Sequence, residues 1–243
     1  MRRLKIALTI FAFSFIFLGS TAIASAQCLE RDRTVAVGED GTIYALTFPR
    51  QRGVGPGFGR PALFAVDPTT YQVKWGYIFN EEDLIASEPV IGSDDTVYFT
   101  VSELVGVGPL PSALRPARLL AVKNGSLKWS YELDHPFASA PALGPDGQLF
   151  VTTTEAGPTM PGPGPSPRSL FLALADSGTS ATLLVKFQLS LGALSAPVVD
   201  SHPTLGWAVY LTGHSRLGPG GMGQGGTLFI VAPDLSVRSI PLW

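Results

Sequence analysis

The groups in this chain that could do chemistry are few, and their spacing brings no set of them together. Its three histidines, His135, His202 and His214, stand singly, two of them directly before a proline. A metal site needs several convergent donors, so they are expected to be solvated loop residues. The acids fall mostly in turn contexts such as Asp40-Gly41, Asp94-Asp95 and Asp146-Gly147, where a short carboxylate serves its own backbone. Neither a Gly-x-Ser-x-Gly elbow, nor a phosphate loop ending in Gly-Lys-Ser/Thr, nor a His-Glu-x-x-His helix occurs. The expectation is therefore no catalytic residue, no metal set and no cofactor, which favours a binding protein over an enzyme.

What the sequence concentrates instead is arginine beside glycine and proline. Spans 49–61, 106–116, 157–167 and 213–226 hold 7, 5, 8 and 8 Gly plus Pro, 28 of the 48 in the chain, far more than hairpin closure needs. Arg50, Arg52, Arg60, Arg115, Arg118, Arg168 and Arg216 lie in or beside these spans, and no acid lies within them. Guanidinium groups so placed would take an anionic or carboxylate-bearing partner, so these seven are the candidate partner-binding residues. Glu81, Glu82 and Asp83 oppose that field from a neighbouring connector.

The elements that must position these loops come in repeats. Ser87-Glu88-Pro89, Ser139-Ala140-Pro141 and Ser195-Ala196-Pro197 recur at steps of 52 and 56, and Lys74-Trp75 returns as Lys128-Trp129 after 54. Each repeat reads as four short strands. In the third, Ala140 to Leu143, Gln148 to Thr154, Leu170 to Ala175 and Leu183 to Leu189 are predicted strands, with Pro145-Asp146-Gly147 turning between the first two. In the second, Asn124-Gly125 predicts a two-residue type I′ turn. Four up-and-down strands per unit predict an all-β propeller of four blades, at about 33–86, 87–138, 139–194 and 195–243. In such blades the Gly/Pro spans join the second strand to the third and crowd one rim, while the Asp-bearing hairpins crowd the other. The Ser-x-Pro units mark where the first strand of the second, third and fourth blades begins.

Ala65-Val66-Asp67 followed by Lys74-Trp75 resembles the tryptophan-docking motif of PQQ-like propeller repeats, Ala-x-Asp-x-x-x-Gly-Lys-x-x-Trp. Tyr71 and Gln72 stand where that motif has Gly and Lys. The second repeat keeps Ala121 and Trp129 across a shorter turn, and the third puts Phe187 in place of the tryptophan. The resemblance implies that Trp75, Trp129 and Phe187 dock blade on blade, and that the chain is similar to the propeller scaffold of the bacterial outer-membrane assembly factor. It also implies an alternative, a degenerate or partial quinoprotein-type redox enzyme; a surface sensor or adhesion module is a third class.

The first 26 residues read as a secretory leader: Met1-Arg2-Arg3-Leu4-Lys5 is basic, Ile6 to Leu18 apolar, and Ala24-Ser25-Ala26 a cleavage site before Gln27. Export to the periplasm or beyond follows, with no membrane span left after leader removal. Losing Arg2, Arg3 and Lys5 leaves 14 basic residues against 19 acids, a formal charge of −5, which argues against a nucleic-acid binder of the basic kind. Cys28, the only cysteine, cannot form an internal disulfide. It stands near the mature N-terminus, where a lipid anchor, a free thiol and an intermolecular disulfide are the alternatives. Four blades are the low end of the propeller range, so the ring is expected to close under strain or to remain an arc whose edges pair with a second copy.

Overall fold

A computed structural model describes residues 35–47, 61–79, 83–103, 115–155, 168–189, 193–214 and 226–242. The leader, Cys28, most of the four Gly/Pro spans, and with them Arg50, Arg52, Arg60 and Arg216, lie outside these residues. Among the described residues every regular element is a strand, and no helix is long and apolar enough to cross a membrane.

The strands form four antiparallel sheets in chain order. The first runs β1 (Val35–Val37), β2 (Ile43–Thr47), β3 (Ala62–Val66) and β4 (Val73–Ile78). The second holds β5 (Asp83–Ala86) and β6 (Val90–Ile91), both against β7 (Val97–Glu103), followed by β8 (Arg118–Lys123) and β9 (Ser126–Glu132). The third repeats this with β10 (Phe137–Ala138), β11 (Ala142–Leu143), β12 (Gln148–Thr154), β13 (Ser169–Asp176) and β14 (Ala181–Leu189). The fourth does so with β15 (Ala193–Leu194), β16 (Val198–His202), β17 (Gly206–His214), β18 (Gly226–Val231) and β19 (Val237–Leu242).

Local chemistry explains the hairpins. Asp40 and Asp94 each accept the amide and the hydroxyl of the threonine two residues on, Thr42 at 2.8 and 2.6 Å and Thr96 at 3.1 and 2.9 Å, which folds the chain back between the first strands. Between β8 and β9, Asn124 and Gly125 take φ of 50° and 74°, the two left-handed residues that a type I′ turn requires.

The Ser-x-Pro units do not open their sheets but interrupt the innermost strand, so the second to fourth sheets begin at 83, 137 and 193 rather than at the serines. The reason is that the serine side chain stands in for a ladder acceptor. Ser87, Ser139 and Ser195 donate their amides to Thr100, Thr152 and Thr212 at 2.8 to 2.9 Å, and their Oγ atoms accept the amides of the same threonines at 2.9 to 3.1 Å. Pairing thus survives the bend that proline imposes. The threonines then tie sheet to sheet, since Thr100 Oγ1 donates to the Ser139 carbonyl at 2.9 Å and Thr152 Oγ1 to that of Ser195 at 3.0 Å.

The core lies between sheets, in three clusters, one per consecutive pair. The strand alternation gives each sheet two apolar faces. Toward the sheet before it, the second presents Val97, Phe99, Leu120 and Val122, the third Leu149, Val151, Leu172 and Leu174, and the fourth Val209, Leu211, Phe229 and Val231. Burying faces of this kind, at about 25 cal/mol per Å² of apolar surface, is what holds a chain without an internal disulfide together.

Candidate functional site

The residues that could recognise a partner lie at the two ends of the sheets. Hairpins of the first three sheets meet around an open cleft of about 450 Å³ whose lining includes Glu39, Asp94, Asp146 and Asp176 together with Lys128 and Tyr98. At its centre Asp176, at the end of β13, accepts from four donors: Lys128 Nζ and Tyr98 OH at 2.7 Å, Trp129 Nε1 at 2.9 Å, and the Gly178 amide at 2.7 Å. Lys128 also stands 3.7 Å from Asp94.

Burial is the largest influence on Asp176 and opposes its ionisation, but the hydrogen bonds from Lys128, Tyr98, Gly178 and Trp129 together outweigh it and hold the carboxyl below its ordinary range. Asp94 follows the same pattern: burial raises it, while Lys123, Thr96 and Lys128 bring it down to about 2. The Thr42 hydroxyl and amide take exposed Asp40 to about 2 as well. Burial first, then the bond to Asp176, pushes the Tyr98 phenol well up. These are permanent anions and a permanent neutral phenol near neutral pH, charges fixed for holding rather than groups poised to exchange protons.

The docking residues predicted from sequence all lie at the junctions between sheets. Trp129 is 5% exposed and packs on Tyr98 with ring centroids 5.8 Å apart. Trp75 is half-buried, packs on Tyr44 at 5.7 Å and meets the second sheet's hairpin at Gly125, where an added Cβ would lie 3.3 Å from the Trp75 Cβ. Phe187 stacks on Phe171 at 4.9 Å in the third junction. It pairs with Phe171, however, and the position opposite the alanine, held by Trp75 and Trp129 against Ala65 and Ala121, is taken in the third sheet by Val185 against Ala173.

At the other end of the sheets, Arg115 and Arg118 stand at the return of the second loop and Arg168 at that of the third. Arg118 is half-buried and lies in register with Glu132. The backbone amide of Arg168 donates to the Glu155 carboxylate at 3.3 Å, and the Glu155 amide to the Arg168 carbonyl at 2.8 Å, which closes the root of the third loop. Charges of both signs therefore meet at the described loop roots.

Two histidines are structural rather than merely solvated. His202 Nδ1 accepts the amides of Thr204 and Leu205, each at 3.2 Å, and so organises the turn into β17, while His135 Nδ1 lies 3.2 Å from Thr153 Oγ1. A polar side chain two or three residues before a tight turn is the signal that could have found the first. The role of Asp176 was also hidden in the sequence, because its three side-chain donors come from the preceding repeat. Among the described residues no group of three or more His, Cys, Asp or Glu could hold a metal ion. No protein-family model matches the chain, and no curated protein matches it either.

Proposed function

We propose that the chain is an exported, non-catalytic propeller of four blades built on a PQQ-like repeat, which binds an anionic envelope partner through its Gly/Pro-rich, Arg-bearing loops. The observation that carries this reading is topological. The connections β2–β3, β7–β8, β12–β13 and β17–β18 join the same ranks of strand in every sheet, and the hairpins of the first three sheets gather at the opposite end. The chemistry-bearing groups described at the hairpin end hold one sheet to the next, which favours the Gly/Pro-rich, Arg-bearing spans as the recognition elements. The PQQ-like reading draws support from Tyr71, which takes a φ of 56° where the docking motif has glycine.

The experiment is a pull-down from the cell envelope, followed by binding measurements on Arg50→Ser, Arg52→Ser, Arg115→Ser and Arg168→Ser combined. Arg118 is left in place because it lies within β8. Affinity should fall about tenfold at low salt, mostly in association rate, and the loss should shrink as salt screens the field. The control neutralises Asp95 and Asp146 at the hairpin end. Equal losses from both sets would sink the loop reading.

A further inference from the structure

The turn between β8 and β9 carries a pair of residues open to attack from within the chain. When glycine follows asparagine, the glycine amide nitrogen can close on the side-chain carbonyl carbon, and no Cβ stands in its way. The chain has two asparagines, Asn80 before Glu81 and Asn124 before Gly125, so only the second meets that condition.

In a folded chain such an attack also needs an exposed asparagine and an amide that is not spent on a hydrogen bond. The corresponding turns of the other sheets spend it. Tyr71 donates its amide to the Asp67 carbonyl at 2.9 Å, Gly178 to the Asp176 carboxylate at 2.7 Å, and Leu235 to the Ala232 carbonyl at 2.9 Å. The Asp-Gly pairs of the inner hairpins do the same, Gly41 to the Gly38 carbonyl and Gly147 to the Gly144 carbonyl, both at 3.0 Å. Gly125 differs. A two-residue turn closes through the residues that flank it, here Lys123 and Ser126, and leaves its two central amides outside the ladder. Among the described residues the Gly125 amide makes no turn bond, and the exposed side chain of Asn124 makes no hydrogen bond.

The same turn is also a packing element. A Cβ added at Gly125 would stand 3.3 Å from the Gly76 carbonyl and 3.3 Å from the Trp75 Cβ, so the turn lies close against β4 of the first sheet. A change in its backbone is felt across the first junction.

We propose that Asn124 is a site of spontaneous deamidation whose isoaspartate product loosens the first junction. The Gly125 nitrogen, its proton lost to solvent hydroxide, attacks Asn124 Cγ. The new bond closes a succinimide ring, and the side-chain nitrogen leaves as ammonia. Water then opens the ring. Addition at Cγ breaks the bond just formed and gives aspartate, whereas addition at the main-chain carbonyl breaks the original peptide bond, so that the chain runs on through Cγ as isoaspartate, one methylene longer. Water is the only reactant consumed. Aspartate adds charge to an exposed side chain and leaves the junction as it was. Isoaspartate displaces Gly125 where β4 already crowds it, and the turn no longer fits. The site depends neither on the loops nor on closure of a ring, so its failure is distinct from failure of the proposed function.

The test is incubation of the folded chain at neutral and mildly alkaline pH, followed by digestion with trypsin. Cleavage after Lys123 and Lys128 releases Asn124-Gly125-Ser126-Leu127-Lys128, whose aspartate and isoaspartate forms separate by chromatography and carry the mass of an amide replaced by an acid. Conversion should rise with pH and run within about tenfold of its rate in the synthetic pentapeptide, while Asn80 stays intact. Hydrogen exchange of the aged chain should quicken in β4 and β9 and stay unchanged in β13 and β14. N124G keeps a residue suited to the left-handed turn and should show no change of exchange with age. N124D, which carries the charge without the added methylene, should exchange like the fresh chain. Conversion more than about tenfold slower than in the peptide would overturn the proposal. So would conversion without faster exchange in β4, ageing of N124G to the same extent, or N124D exchanging as fast as the aged chain.

Discussion

The first and second junctions start from the same row of residues, a tyrosine, an alanine and a tryptophan in register, and bury it to different depths. Trp129 is enclosed and hydrogen-bonded, while Trp75 is half-buried. The difference comes from the sheet that receives them. The third sheet ends its third strand in Asp176, which takes the indole and Lys128 together, whereas the second sheet has Asn124, already in its turn, at the matching position, and the Lys123 before it turns to Asp94 at 2.9 Å. Lys74, the counterpart of Lys128, stays within its own sheet, on Asp40 at 3.3 Å and Thr42 at 2.7 Å. A docking tryptophan is therefore only half of a junction, and one residue a repeat away decides how tightly it closes.

The largest effect that can break this comparison is removal of the two indoles. Trp129→Ala should cost about 4 kcal/mol, the range for deleting a buried large aromatic, and Trp75→Ala about half of that because much of its surface is already wet. Urea melts of both variants give the ratio. Equal losses would mean that Asp176 adds nothing to the second junction.

The acceptor itself comes next. Asp176→Asn removes the nearer anionic partner of Lys128, leaving only Asp94 at 3.7 Å to balance its charge, and should cost about 2 kcal/mol near neutral pH, while Lys123→Ala, an exposed cation, should cost under about 0.5 kcal/mol. The acid profile sharpens the point. Carboxyls depressed in the folded state stabilise it above their unfolded value near 4, and that stability is lost as pH falls through the folded values. With Asp40 and Asp94 at about 2, and Asp67, Asp176 and Asp234 also lowered, the thermal midpoint should fall between about pH 4 and about pH 2. Asp176→Asn should flatten part of that slope and approach the wild-type value at its acid end. An unchanged slope would remove Asp176 as an acid-sensitive clamp.

What was legible in the sequence was whatever is local. The Asn124-Gly125 turn, the strand Gln148 to Thr154 and the recurrence of four strands per unit follow from alternation and turn chemistry, and the sheets have them. The split of the innermost strand was not legible, because a serine that replaces a ladder acceptor looks the same in sequence as one that begins a strand. Phe187 was set at the tryptophan position by counting residues, but the hairpin between β13 and β14 brings Val185 opposite Ala173 and leaves Phe187 two pairs further along, opposite Phe171. Asp176 shows the same limit at longer range, since the donors that fix its role lie 47, 48 and 78 residues earlier in the chain.

The smallest prediction returns to the weaker junction. Tyr71 closes the turn between β3 and β4 with a φ of 56°, its amide donating to the Asp67 carbonyl at 2.9 Å, and its side chain is 77% exposed. A left-handed conformation costs a residue with a Cβ about 1 to 2 kcal/mol, part of which glycine returns through its greater freedom in the unfolded chain. With so little of the ring buried, Tyr71→Gly loses almost no packing and should stabilise the fold by about 0.5 to 1 kcal/mol, read as a rise in the urea midpoint. The burial of Trp75 should not change, since the receiving sheet sets it, and its fluorescence maximum is the check. A destabilised variant would show that the tyrosine holds the turn through contacts of its ring. A blue shift of Trp75 would place the looseness of the first junction in its own turn and not in Lys123.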